Sequence, residues 1–149
     1  MIVREARPED METIVDFQVN MALETENIAL DPDTVHLGVK AVFTDPSKGK
    51  YYIAEKAGKV IASLLTTFEW SDWRNGTVIW LQSVYVMPGH RGQGVYKGMY
   101  RHIQEKVERN NRLKGIRLYA EKTNVTARKV YEKLGMTSEH YLLYEWLKD

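Results

Sequence analysis

The stretch that organises this chain reads Val86-Met-Pro-Gly-His-Arg-Gly-Gln-Gly-Val-Tyr96, followed by Lys97-Gly-Met-Tyr-Arg-His-Ile103. Its pattern predicts a strand that ends near Pro88, a turn through two glycines, and then a helix. Glycine permits a left-handed backbone and lets a ligand approach the main chain closely. The first N–H groups of a helix lack intrahelical partners and lie at the positive end of its dipole. The stretch therefore predicts a pocket for a phosphate-bearing ligand, with Arg91 adding positive charge at its mouth.

A plain strand-to-helix turn is the alternative interpretation of this stretch, because glycines occur in loops of every kind. Two familiar nucleotide-binding motifs do not fit it. No Lys-Ser/Thr pair follows Gly94, which excludes a P-loop. Lys97 stands where a dinucleotide-binding turn requires its third glycine, and Gly98 comes one residue too late.

With its flanks included, the loop resembles the Arg/Gln-x-x-Gly-x-Gly/Ala motif of the GNAT superfamily of acetyl-CoA-dependent N-acetyltransferases. That family places the loop after a strand ending in Val-x-Pro, and this chain has Val86-Met-Pro88. The family's second motif, Asn-x-x-Ala-x-x-x-Tyr-x-x-x-Gly-Phe, is similar in spacing to Asn124, Ala127, Tyr131, Gly135 and Met136. Two residues depart from the pattern: Tyr96 replaces the last Gly or Ala of the loop, and Met136 replaces Phe.

The resemblance implies an α/β fold in a single domain over residues 1–149, with a central, mostly antiparallel sheet and about four helices. The residue pattern agrees, because a β-rich middle is followed by helix, strand, helix and strand. Asp31-Pro32 and Asn124 predict helix starts, and Gly135 predicts a helix end. Three further predictions concern single segments: a loop over residues 23–30, a strand through 116–120, and a last strand over 140–147.

Composition limits the kinds of partner. A chain of 149 residues with 44% hydrophobic and 28% charged residues is typical of one soluble globular domain. A net charge of +1 gives no electrostatic case for nucleic acid, and no apolar run is long enough for a membrane span. The absence of cysteine excludes disulfides and thiolate metal sites, and the four histidines lack metal-ligand spacing, so no metal is predicted. A charged N-terminus without an apolar stretch behind it predicts a cytoplasmic protein.

Acetyl-CoA is the cosubstrate that the resemblance implies. Main-chain groups of Val84 and Val86 would then hold the pantetheine arm and help to stabilise the oxyanion. The resemblance assigns cosubstrate binding also to Asn124 and Ala127, and pyrophosphate binding to Arg91, Gly92, Gln93, Gly94, Val95 and Tyr96.

Tyr131 is the predicted general acid. A tyrosine hydroxyl keeps its proton at neutral pH and can give it to a departing thiolate within reach. The alternative is a tyrosine that only packs on an amphipathic helix. The family's spacing from Asn124 and Gly135 favours the catalytic role.

The general base stays open. The strand before the loop offers Gln82, which can orient a water or an amine but cannot accept a proton. The alternatives are carboxylates: Glu69 and Asp72 in one stretch, and Glu24 and Glu26 in the predicted loop. A carboxylate could act through water or simply attract a cationic amine. Three tryptophans lie near Glu69 and Asp72 in the sequence: Trp70, Trp73 and Trp80. We expect them in the core or at a subunit interface, where aromatic residues are favoured. The alternative is an aromatic wall that receives a substrate ammonium group.

The predicted function is direct transfer of an acetyl group from acetyl-CoA to a primary amine of a small molecule or peptide. Direct transfer is favoured because no cysteine can carry an acyl group. The alternative is a non-catalytic module of the same fold that binds CoA without turnover. The aromatic C-terminal segment could also pair across a homodimer.

Overall fold

Two units make up the structure, a computed structural model that describes residues 1–148. The first unit, Met1–Arg117, contains a five-stranded sheet, and the second begins at Leu118. The strands are β1 (Ile2–Glu5), β2 (Lys50–Lys56), β3 (Lys59–Ser71), β4 (Gly76–Val86) and β5 (Leu113–Arg117). The helices are α1 (Met11–Glu26), α2 (Pro32–Thr44), α3 (Val95–Arg109) and, in the second unit, α4 (Val125–Lys133).

The sheet has the order β1-β2-β3-β4-β5. Its first three pairs are antiparallel, and β4 pairs with β5 in parallel. The long chain segment between β4 and β5 contains α3, as a parallel connection requires. The described residues thus form a mixed, mostly antiparallel sheet with four α-helices, which confirms the predicted fold class.

Alternation along β2 places helices on both faces of the sheet in the first unit. Tyr51 and Ile53 are buried in a core that includes Ile14 of α1 and Val39 of α2. Tyr52, between them, points the other way and packs edge-on against His102 of α3, with ring centroids 5.7 Å apart. Because successive strand residues face opposite sides, α1 and α2 cover one face and α3 covers the other.

Helix ends follow the predicted capping residues. The Asp31 carboxylate accepts a hydrogen bond from the Asp33 N–H at 3.2 Å, and Pro32 is the first residue of α2. Asn124 accepts from the Ala127 N–H at 3.1 Å and begins α4. Gly135, just after that helix, has φ +88°, a left-handed conformation that suits glycine at a C-terminus. These three predictions are confirmed.

The loop predicted over residues 23–30 is wrong in its first half, because α1 continues to Glu26. Leu23, Glu24 and Thr25 contain no helix breaker, and the helix ends only where Asn27 adopts φ 53°. Glu24 and Glu26, expected in a loop, therefore lie in the last turn of α1.

The strand predicted over residues 140–147 is also wrong, since no strand is present there in the structure. The strand predicted through 116–120 instead spans Leu113–Arg117, where β4 supplies its ladder. Both errors have one physical reason: aromatic and branched residues favour a strand only where a partner strand accepts their hydrogen bonds.

A β-bulge interrupts β4 close to the predicted site. Leu65 of β3 lies opposite Gln82, whereas Ser63, two residues earlier, lies opposite Tyr85. The β4 strand thus has one extra residue here, and Ser83 has φ 51°, which is rare for a residue with a side chain.

This bulge changes the face to which β4 side chains point. Ile79 lies on the α3 side, where it lines a small cavity with Ile103. Tyr85, six residues later, would point the same way in a regular strand. Its ring instead contacts Phe17 of α1, with centroids 5.0 Å apart. The extra residue therefore turns Tyr85 toward α1.

Candidate functional site

The glycine loop, residues 91–96, has the backbone of an anion-binding turn. Gly92 and Gly94 have φ +73° and +78°, and Gly94 is the residue immediately before α3. A Cβ added at either position would meet no atom within 4 Å, so the space beside the loop is open. Because α3 begins at Val95, its first N–H groups lack intrahelical acceptors and are available to a ligand. The predicted sequence of strand, glycine turn and helix is confirmed.

Tyr96, the bulky residue in the family's Gly/Ala position, leaves that space open. Its ring lies along α3 beside Tyr100, with centroids 6.4 Å apart. A Cβ added at Gly92 or at Gly94 would not have the Tyr96 side chain within 4 Å. The large side chain is therefore accommodated on the helix, away from the open side of both glycines.

Arg91 points back toward the protein. Its Nε donates to the main-chain oxygen of Val86 at 2.8 Å, and its guanidinium lies 5.3 Å from the centre of the Tyr85 ring. Its Nη2 lies 2.7 Å from a carboxylate oxygen of Glu24. The positive charge predicted at the mouth of the pocket is therefore already paired with a carboxylate of α1.

Glu24 is held from two sides. The Tyr85 hydroxyl donates to its second carboxylate oxygen at 2.9 Å, so one carboxylate contacts both Arg91 and Tyr85. The hydrogen bond from Arg91, followed by that from Tyr85, lowers the pKa of Glu24 below its ordinary value. Burial, and then the bond to Glu24, raise the pKa of the Tyr85 hydroxyl. Glu24 is thus a stable anion and a weaker base than an ordinary glutamate.

The end of β4 has main-chain groups outside the sheet ladder. Within the described residues, its pairing with β5 ends at Trp80, while β4 itself continues to Val86. On the other side, the Met87 N–H donates to Ile61 of β3 at 2.9 Å. Neighbouring residues direct their main-chain groups to opposite sides, so those of Val86 face away from β3. This opening adjoins the glycine loop along the chain.

The other candidate carboxylates lie toward the opposite end of the β3–β4 hairpin. Glu69 pairs with Arg117 of β5 and accepts from the Trp80 indole N–H at 3.2 Å. Asp72 lies in the turn and accepts from the Trp73 N–H at 2.9 Å. Glu69 lies opposite Val78, eight residues before the end of β4, which corresponds to about 26 Å along a strand. Of these carboxylates, the structure places only Glu24 in contact with the loop.

Gln82 and the tryptophans have other positions. The Gln82 amide donates to the Thr67 hydroxyl across the β3–β4 pair at 2.6 Å. Trp73 is 89% exposed in the turn, and Trp70 is also exposed. Trp80 is half-buried beside Glu69. Of the two positions predicted for the tryptophans, the core is wrong for Trp70 and Trp73, and the interface stays a prediction.

The residues of the second motif lie on α4, in the second unit. Ala127 and Tyr131 are four residues apart and share one face of the helix, and both are half-buried. Asn124 caps the helix with its side chain. The main-chain oxygen of Tyr131 accepts from the Met136 N–H at 3.1 Å, which closes the helix.

One family accounts for most of the chain: the model of the Acetyltransferase (GNAT) family matches residues 12–136. The chain belongs to the GNAT acetyltransferase family. The match includes both the glycine loop and the motif on α4, so the resemblance found in the sequence is confirmed.

Solved structures agree with this assignment. A possible acetyltransferase from Clostridium difficile 630 is 41% identical to this GNAT protein, with a TM-score of 0.92 over 99% of this chain and 97% of the other. A predicted acetyltransferase with acetyl-CoA from Clostridium acetobutylicum shares the fold at 22% identity, with a TM-score of 0.74 over 97% and 95%. A ribosomal-protein-alanine N-acetyltransferase from Brucella melitensis biovar Abortus 2308 does so at 14% identity, with a TM-score of 0.79 over 99% of each chain. Among proteins of curated function, none matched.

In the part of the chain that the structure describes, no helix is both long and apolar enough to cross a bilayer. Within residues 1–148, no three acidic or histidine side chains are grouped so that they could hold a metal ion.

Ser83 and Tyr85 shape the candidate site of this GNAT protein, and the sequence analysis did not predict a role for either residue. The bulge at Ser83 and the contacts of Tyr85 with Glu24 and Arg91 define the side of the site next to α1. The only sequence signal is the polar pair Gln82-Ser83 within an apolar run. That pair does not specify a bulge, because polar residues also occur on the exposed face of a regular strand.

Proposed function

We propose that this GNAT protein transfers the acetyl group of acetyl-CoA directly to a primary amine. The observation that carries the proposal is the open space beside Gly92 and Gly94, at the start of α3 and next to the opening at the end of β4. Main-chain donors around an open space suit a pyrophosphate, and a free strand end suits the amides of a pantetheine arm. The donor set thus fits acetyl-CoA.

Each part of the cosubstrate has a proposed set of contacts. The main-chain N–H groups of residues 91–96 bind the pyrophosphate. Main-chain groups of Val84 and Val86 hold the pantetheine arm, and their N–H groups stabilise the developing oxyanion, while the Val86 carbonyl keeps its hydrogen bond from Arg91. Asn124 and Ala127, assigned from the family motif, contribute from α4.

The proton balance needs one acceptor and one donor. The attacking amine forms the new N–C bond and loses a proton, while the C–S bond breaks and the thiolate gains one. We assign the donor to the Tyr131 hydroxyl, on the family spacing alone. Both carboxylate oxygens of Glu24 already accept hydrogen bonds, one from Tyr85 and one from Arg91, so we assign the transfer of this proton to solvent water rather than to this carboxylate. Exposed Glu26 serves to attract a cationic amine.

The proposal extends to the domain organisation, the acceptor and the cellular location of the protein. Both units form one GNAT domain, because the family match runs across the boundary at Leu118. The acceptor is a small-molecule or peptide amine. A cytoplasmic location agrees with a chain that contains no cysteine.

We expect amine-dependent release of CoA from acetyl-CoA when the protein is tested against a panel of primary amines. Released thiol can be measured with a thiol reagent at no background from the protein, because the chain has no cysteine. Mass spectrometry should find one N-acetylated product for each thiol released. Binding of CoA without turnover on any amine would favour the non-catalytic module instead.

We also propose that the protein is a homodimer. In the second unit, six large apolar side chains between residues 141 and 147 are 61–87% exposed: Tyr141, Leu142, Leu143, Tyr144, Trp146 and Leu147. The three aromatic residues alone represent roughly 450–750 Å² of surface. With the three leucines the surface approaches the roughly 800 Å² per partner of a typical stable interface.

The prediction is a particle of twice the chain mass of 17.3 kDa in analytical ultracentrifugation. The double variant Tyr144→Ser, Trp146→Ser should shift it to one chain mass, because it removes two of the large contacts. Trp73→Ser, which removes an exposed tryptophan from the first unit, is the control and should stay dimeric. A monomeric wild-type protein at tens of micromolar would contradict the proposal.

A further inference from the structure

Arg91 has more contacts with the protein than a phosphate-binding side chain at the mouth of a pocket would need. Its guanidinium contacts a main-chain oxygen at the end of β4, the Tyr85 ring, and the Glu24 carboxylate. These contacts join three segments: the last turn of α1, the end of β4, and the glycine loop. The side chain is therefore oriented toward the protein.

Tyr85 is the buried residue in this group of contacts. The side chain is only 5% exposed, and its ring packs against Phe17. The bulge at Ser83 is what turns the ring to this face. From there its hydroxyl donates to Glu24, so the carboxylate that binds Arg91 is itself held by a buried ring.

We propose that Glu24 and Tyr85 are positioning residues, which hold Arg91 against the Val86 carbonyl so that Arg91 braces the glycine loop instead of binding phosphate. Phosphate binding is then left to the main-chain N–H groups of the loop. The proposal depends on the proposed function in one respect, namely that the loop binds CoA. The bracing itself is a property of the protein without ligand.

The expected effect is local. Arg91 and Glu24 are half-exposed, and exposed ion pairs contribute little to global stability. Loss of the pair should therefore leave the melting temperature almost unchanged while it frees the loop to move. A mobile loop must be ordered again when CoA binds, which weakens binding.

The experiment compares Glu24→Ala, Arg91→Ala, the double variant and Tyr85→Phe, with Asp16→Ala as the control. Asp16 is an exposed carboxylate on the same helix. Hydrogen exchange of the loop amides is measured in the free protein, and CoA affinity by calorimetry. We expect faster loop exchange, and a dissociation constant raised about two- to fivefold in each single alanine variant, the range for an exposed ion pair. The double variant should bind CoA no more weakly than either single alanine variant, because each single substitution already removes the same brace.

Two further readouts separate positioning from a general structural role. The KM for acetyl-CoA should rise in Glu24→Ala while kcat stays within about twofold, since bracing affects binding and not the chemical step. Glu24→Gln should restore part of the affinity, because its amide oxygen can still accept from Arg91. Tyr85→Phe should give a smaller effect than Glu24→Ala, since it keeps the ring beneath Arg91.

Two outcomes would overturn the proposal. Tighter CoA binding in Glu24→Ala would mean that Glu24 competes with phosphate for Arg91. Unchanged loop exchange together with unchanged affinity would mean that the contacts have no effect on the loop. If the wild-type protein does not bind CoA, the proposed function fails, and hydrogen exchange in the free protein still decides whether the brace exists.

Discussion

We expect Gly94→Glu to abolish CoA binding and leave the protein folded. The residue has φ +78° at the start of α3, and the space beside it is open. A side chain there costs about 1–3 kcal/mol of backbone strain but meets no neighbour. The added carboxylate would occupy the space proposed for the pyrophosphate and repel it. Calorimetry should show affinity reduced by at least about 100-fold, equivalent to about 2.7 kcal/mol.

Two control variants separate the causes of this loss. Gly94→Gln adds the same bulk without charge, so its affinity for CoA should lie between that of the wild-type protein and that of Gly94→Glu. Gly58→Glu adds the same side chain at φ +76° in the turn between β2 and β3, where the space is also open. It should cost similar stability and leave CoA affinity unchanged. Near-normal affinity in folded Gly94→Glu would refute the assignment of the loop.

The second large effect is expected in Tyr131→Phe. The substitution removes one hydroxyl and keeps the ring on α4, so folding and CoA affinity should change little. If the hydroxyl protonates the departing thiolate, kcat should fall by about 10²–10⁴-fold, the usual range for a positioned proton donor. KM should change little, because the proton is needed in the transition state.

The measurement is steady-state acetyl transfer to an accepted amine, with a rapid-mixing experiment to confirm that chemistry limits the rate. Tyr119→Phe removes a hydroxyl from an exposed tyrosine of the same unit and should keep full activity. A loss below about threefold in Tyr131→Phe, or about 0.65 kcal/mol, would return Tyr131 to a packing role.

Local rules were sufficient for much of the fold. Asp31, Asn124 and Gly135 act through hydrogen bonds and backbone angles set within a few residues, so their roles are visible in the sequence. The glycine loop belongs to the same class, because the left-handed backbone at Gly92 and Gly94 is a property of the residues themselves. For this reason the family resemblance and the fold could be recognised.

Contacts between distant segments were not predictable in this way. Glu24 meets Arg91 across 67 residues of sequence, and it does so only because α1 continues past Leu23. The end of β5 at Arg117 depends on where β4 ceases to supply a partner. The roles of Tyr131 and of the main-chain groups at Val84 and Val86 remain predictions.

The extra residue in β4 has a consequence for how this protein can be altered. The extra residue at Ser83 makes the spacing from Ile79 to Tyr85 six, although the two side chains lie on opposite faces of the sheet. Deleting Ser83 would leave a regular strand in which this spacing is five, an odd number that still directs Tyr85 toward α1. The deletion would thus remove the bulge and keep Tyr85 on the same side of the sheet as its partner Glu24. A change of one residue in chain length can therefore be absorbed at this point of β4 without moving the Tyr85 ring to the other face.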